Sequence, residues 1–349
     1  MRTTIFLMTL LLAACDQTTA SVEPAADPLA SEIGRWSKYL ESRPPQDELR
    51  QNSEPAVDRA EESLAQGKRL LATHRIVMAW EDLAANNYLR AVSANQRKEM
   101  AAFETEWARM GGELRPYLGS ASLGDLHPAA VRALGEAAFP QVRAYYDASI
   151  EQGRATSASG GFYYLGAAQG QREVVDFLRK VSEPTTRKEP PLRSLAPEIE
   201  TLEGEMMAIY RPPVSIDRHG EFITASATLK EARELDEAGL RYGALLRYLQ
   251  AALQFAPLRG AKAPLLPEGA LAQLESRLSA GDMDQSIGQL FLESAQAHVA
   301  SGSAEGAAGA AIIAGDILPR YFAALEPARP QAPRPEPRVT VTLVRWPYT

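Results

Sequence analysis

The chain has 349 residues, of which 45% are hydrophobic, 23% charged and only 7% aromatic, with a formal net charge of -7. Such a chain can bury a substantial core. An acidic balance without a basic block excludes a dedicated nucleic-acid binder, because affinity for phosphates needs clustered Lys and Arg. The single cysteine excludes a disulfide within the chain, a thiol nucleophile elsewhere and any cysteine metal site.

In chain order, the first segment is Met1-Arg2-Thr3-Thr4, followed by ten almost wholly apolar residues, 5–14. One positive charge ahead of a short apolar run has the form of a secretory signal peptide. The run is too short for a membrane-spanning helix, which needs about 20 apolar residues. It closes on Leu12-Ala13-Ala14-Cys15. This tetrad resembles the lipobox of bacterial lipoproteins. The resemblance implies cleavage between Ala14 and Cys15 and a diacylglycerol on the Cys15 thiol. It also implies a protein of the bacterial cell envelope, lipid-anchored and facing the periplasm or cell exterior. Two or more acyl chains anchor stably, at about 0.8 kcal/mol per buried CH₂. Residues 1–14 are then the signal, and 15–28, small and polar after Cys15, a flexible tether.

From residue 29 the spacing of apolar residues follows the helical period nearly throughout. It predicts helices over 29–43, 55–94, 96–118, 128–153, 160–182, 195–209, 226–238, 241–256, 267–280, 283–300 and 304–325. Within the second, Leu64, Leu70, Leu71, Ile76, Trp80, Leu83 and Leu89 form one stripe, and Gly67 is its weakest point. The proline-rich, charged stretch 183–195 reads as a linker between an N-terminal helical region (29–182) and a C-terminal one (196–326). Residues 327–349 begin with five prolines in twelve residues, which excludes a helix. Val339-Thr340-Val341-Thr342-Leu343-Val344-Arg345-Trp346 then alternates as a single β-strand. The expected class is therefore all-α, built of stacked antiparallel helical hairpins, with one C-terminal strand. That strand must pair with a partner or lie against its own helical body.

The C-terminal region carries a second likeness. Ala232, Gly239, Ala244, Tyr248 and Ala251, with Pro257 after them, resemble the tetratricopeptide repeat, in which small residues let two helices approach, a Gly turns and an aromatic fills the groove. Leu235 stands where an aromatic is usual, and the Pro falls one residue late. Gly302, Ala307, Ala311, Ala314 and Pro319 give a fainter echo. Gly239, Gly260, Gly281 and Gly302 recur every 21 residues. The resemblance implies a curved helical stack whose inner surface holds a protein or peptide, with Tyr242, Arg247 and Tyr248 as its candidate interaction face.

Chemistry-bearing patterns are few. His74, His127, His219 and His298 show no metal-ligand spacing, and no phosphate loop, nucleophile elbow or haem motif occurs, so no metal or cofactor is expected. The loop 210–222 holds Arg211, Asp217, Arg218, His219 and Glu221; a His with flanking acids can serve as a general base, while Asp217-Arg218-His219-Gly220 also reads as a solvated turn. Glu293-Ser294, Ser301 and Gly306-Ala307-Ala308-Gly309 resemble in part the lytic transglycosylase signature. The spacing is one residue off, and only 56 residues follow Glu293, too few for that catalytic domain. The leading expectation is an envelope scaffold bound to the membrane through Cys15 and to an envelope protein or peptide. The alternatives are a small-ligand or lipid binder, which needs a large apolar cavity near residues 183–225, and a hydrolase centred on Asp217 and His219.

Overall fold

The computed structural model describes residues 27–119, 123–211, 216–259 and 266–327. The chain is all-α. Twelve helices follow one another among the described residues: α1 (Pro28–Glu41), α2 (Glu48–Ala65), α3 (Arg69–Ala91), α4 (Met100–Leu114), α5 (Ala129–Ala155), α6 (Ala158–Val181), α7 (Ala196–Ile209), α8 (His219–Glu237), α9 (Arg241–Phe255), α10 (Ala270–Ser279), α11 (Ser286–Ala300) and α12 (Ala304–Leu325). The lipobox and the expected strand at 339–346 lie outside the described residues.

The long segment expected over 55–94 is two helices. Gly67, with φ of +73°, ends α2 in the left-handed conformation that favours glycine, and the Lys68 N–H bonds back to the Ser63 carbonyl at 2.9 Å. The α2 helix also begins earlier than its apolar spacing suggests. Asp47 accepts the Leu49 and Arg50 N–H groups and starts it at Glu48. The 226–238 helix likewise begins at His219, so His219 and Gly220 belong to its first turn and not to the preceding loop.

Consecutive helices pair, α2 with α3, α5 with α6 and α8 with α9, and the pairs touch through α3–α6 and α5–α9. Helix α11 packs on both α3 and α5. One buried apolar cluster therefore runs from Leu29 to Ala324 and includes Trp36, Trp80, Phe177, Phe255 and Tyr321. Helix α4 is held by a second cluster around Phe103, Met110 and Phe162. Segment 183–195 is free of helix. It is pinned where Lys188 exchanges backbone hydrogen bonds with Asp282 and Asp284 at 2.8 and 2.7 Å.

Close approach depends on missing side chains. A Cβ on Gly166 would stand 3.0 Å from the Ala85 backbone, and one on Gly243 3.1 Å from the Ala137 nitrogen. These glycines let α6 meet α3 and α9 meet α5.

Every buried acid among the described residues, Glu136, Asp236, Asp284 and Glu293, accepts a backbone N–H at or just ahead of the start of a helix elsewhere in the chain. At helices α3, α5, α7 and α9 the N-cap residue itself supplies no capping side chain. At α3, α5 and α9 a carboxylate from another helix or turn supplies an acceptor that the first N–H groups need, whereas at α7 the Ser194 hydroxyl accepts from Ala196 at 3.3 Å and the carboxylate holds the turn ahead of the helix. Glu293 accepts from Leu71 at 2.9 Å and Asp284 from Ala129 at 2.7 Å. Asp236 accepts from Leu195, just ahead of α7, at 3.0 Å. Glu136 accepts from both Tyr242 and Gly243 at 2.9 Å. Capping and tertiary packing are thus the same contacts.

Candidate functional site

Polar side chains converge where α3, α5, α6 and α9 meet. One turn of α3 carries Met78, Glu81 and Asp82; Tyr145 comes from α5, Tyr163, Tyr164 and Gln171 from α6, and Arg247 and Gln250 from α9. Tyr145 donates its hydroxyl to Glu81 Oε1 at 2.6 Å, and Gln171 donates to Oε2 at 3.0 Å. Tyr163 donates to Asp82 at 3.0 Å. Neither Glu81 nor Asp82 forms an ion pair among the described residues. Burial, together with the like charges of Asp82 and Glu231, raises the Glu81 pKa against the two donated hydrogen bonds. Burial and the neighbouring carboxylates also raise Tyr145 and Tyr163, so both keep their protons as donors.

Arg247 is already matched. Its Nε lies 3.0 Å from Glu231, and Nη1 donates to Gln250 at 3.0 Å. Gln250 in turn meets His74 Nε2 at 2.8 Å. Burial, then the charges of Arg247 and Arg75, holds His74 down to about 4. With a neutral ring the Gln250 amide donates and Nε2 accepts. Glu81, Gln171, Arg247 and Gln250 line a cavity of about 50 Å³, and Met78, half exposed, is part of its wall. That volume admits a few waters or the end of one side chain, not a metabolite. Among the described residues no three His, Cys, Asp or Glu are placed to hold a metal.

The expected interaction face fares differently residue by residue. Tyr242 and Tyr248 are buried, 7% and 2% exposed, and form no open surface. Tyr242 donates to the Pro190 carbonyl at 3.1 Å under the Arg132 guanidinium, and the Tyr248 hydroxyl accepts from Arg320 at 3.0 Å. Aromatic residues at that spacing fill the space between helices here. Arg247 alone reaches the polar site. In the 210–222 segment His219 is exposed and bonded to the Tyr210 hydroxyl at 2.6 Å. Asp217 is also exposed, and no hydrogen bond joins it to His219 among the described residues. Arg218 pairs with Glu221 at 2.6 Å. The cavity beside residues 189–192, about 280 Å³, is rimmed by Arg132, Glu136, Glu189 and Arg241, so it is charged, not the apolar chamber a lipid binder requires. Glu293 is consumed in capping α3. His127 lies 3.8 Å from Glu189, and His298 packs against Gly309.

Sequence reasoning does not find Glu81, Tyr145 and Gln171, because 64 and 90 positions separate Glu81 from its two donors. The usable signal is the pairing of tyrosines, Tyr145-Tyr146 and Tyr163-Tyr164, in a chain poor in aromatics. No family model matches the chain, and neither a curated protein nor a solved structure does.

Proposed function

We propose that this protein is a lipid-anchored scaffold of the bacterial envelope, and that its helical body holds an extended, basic segment of a partner protein at the Glu81–Tyr145 site. Leu12-Ala13-Ala14-Cys15 supports the address, and the hairpins whose small residues resemble tetratricopeptide repeats support the scaffold reading. One observation carries the site assignment. Glu81 and its neighbour Asp82 are two carboxylates whose side chains receive hydrogen bonds only from neutral donors, Tyr145 and Gln171 on the one and Tyr163 on the other, and Glu81 lines a cavity sized for a side-chain end with Met78 in its wall. A lysine or arginine of the partner supplies the missing cation, and Met78 takes its aliphatic stem.

The test is crosslinking of the full-length tagged protein in its native membrane, with captured proteins identified by mass spectrometry. The reading expects one envelope protein, captured through a basic segment, and its loss with Glu81→Gln combined with Asp82→Asn. Tyr248→Phe, which alters a buried framework contact, serves as the control and keeps the capture. Equal capture by the double variant, or a captured segment without Lys or Arg, overturns the assignment of this site.

A further inference from the structure

An apolar groove lies between α10 and α12, far from the tyrosine site in composition and in the helices that build it. Ala270, Gln273, Leu274 and Arg277 form its wall, at the helical spacing of one face, and Ala311, Ala314 and Gly315 its floor. Its volume is about 450 Å³. Helix α10 is poorly covered: of its ten residues only Leu278 is buried. The 22-residue helix α12 contains an 18-residue stretch with a mean hydropathy of 1.3, yet only 44% of that stretch is buried. A π-helical turn at Ile313–Ile317 widens α12 at the groove, a distortion that recurs where helices serve a function. A floor of Ala and Gly opposite leucines leaves room for large side chains that the body does not provide.

We propose that the chain's own C-terminal segment, residues 339–348, lies in this groove. The covalent path makes it the nearest occupant, because only the short stretch 326–338 separates the segment from the end of α12. From Leu325 back to Ala311 is about 21 Å along the helix axis. The eleven residues 328–338, rich in proline, reach about 34 Å when extended, which is ample for the chain to fold back. A tether of this length presents the segment at an effective concentration near millimolar, so even a modest groove is filled in cis. The chemistry agrees. In an extended chain Val344, Trp346 and Tyr348 share one face, and that face offers the bulk the groove lacks. A helix surface has no free backbone groups to pair a strand, so side chains, and not a sheet ladder, hold the segment.

The experiment places a photoreactive benzophenone amino acid at position 346 of the full-length protein in its membrane. Illumination is expected to join position 346, within the same chain, to residues 270–277 or 311–315. Ala314→Trp fills the floor and Leu274→Asp charges the wall, and each is expected to abolish those crosslinks while helical content measured by circular dichroism stays unchanged. Leu274 is only partly buried, so its variant decides the matter if Ala314→Trp impairs folding. Crosslinks to another part of the body, to a second copy, or to lipid overturn the proposal. So does the lack of any product, or crosslinks that persist in the folded variants.

Discussion

Glu293 on α11 accepts the backbone N–H of Leu71 on α3 at 2.9 Å, across 222 residues of sequence. Burial outweighs this bond, the one from Leu70 and the charge of Lys68, and pushes the carboxyl up to about 7. An unfolded chain releases the same proton near 4.5. Between these values the native state binds more protons, so this group's contribution to stability is fully present below pH 4.5. It falls as pH rises to about 7, by about 3 kcal/mol. Glu293→Gln has no proton to lose. Urea denaturation at several pH values should show the variant gaining on the native protein by that amount from pH 4.5 to 7, whatever constant offset the new amide brings. A difference that does not change with pH would show that the buried carboxyl does not titrate in this window.

His74 produces the opposite slope in almost the same window. Its folded pKa, about 4, lies below its unfolded value of 6.5. The unfolded chain takes the proton first, so stability is complete above pH 6.5 and declines by at most about 3 kcal/mol as pH falls to 4. In the intact protein the two residues partly cancel and the profile between pH 4.5 and 6.5 is shallow. His74→Gln should leave the decline with rising pH exposed, and Glu293→Gln the decline with falling pH. A double variant restores a shallow profile. Parallel profiles for the two single variants would remove the account.

Glu136 tests the capping pattern more directly. One oxygen accepts from both Tyr242 and Gly243, and the other binds Arg132 at 2.9 Å. Glu136→Ala leaves two buried N–H groups at the start of α9 without an acceptor, which costs about 3 kcal/mol. Glu136→Gln keeps an acceptor and should recover more than half of that. The same loss for both variants, measured by denaturant midpoint at constant slope, would mean that the contact stabilises through charge and not through capping.

Helix positions were legible because each depends on neighbours in sequence. Apolar residues recur at helical spacing over Leu71, Ile76, Trp80 and Leu83, all buried, and Gly67 breaks the run where a left-handed residue is needed. Starting points were less legible where the cap is remote. Nothing near Arg69 or Arg241 announces that Glu293 or Glu136 will supply the acceptor. The same limit governs the polar site. Arg247 was within reach because it sits on the best-patterned helix, whereas Glu81, Tyr145 and Gln171 come together only when α3, α5 and α6 pack. Tyr242 and Tyr248 show the converse error. Both are expected on an inner interaction surface, but each fills the space between helices and is for that reason withdrawn from the surface.

The proposed lipidation at Cys15 involves none of these contacts and is separately testable. The thiol is the only one in the chain, so Cys15→Ser removes every thioether the protein can form. The variant should leave the detergent-soluble membrane fraction, and the native N-terminus should carry the mass of a diacylglycerol on cysteine. Denaturant midpoints should coincide for the two, because the described fold begins at Asp27, where Arg69 holds the carboxylate at 2.7 and 2.9 Å. That pair fastens the start of α1 to α3 without reference to what precedes it. Membrane retention of Cys15→Ser would assign the attachment elsewhere, and α12, the one described helix long and apolar enough to cross a membrane, would be the segment to examine next by protease protection.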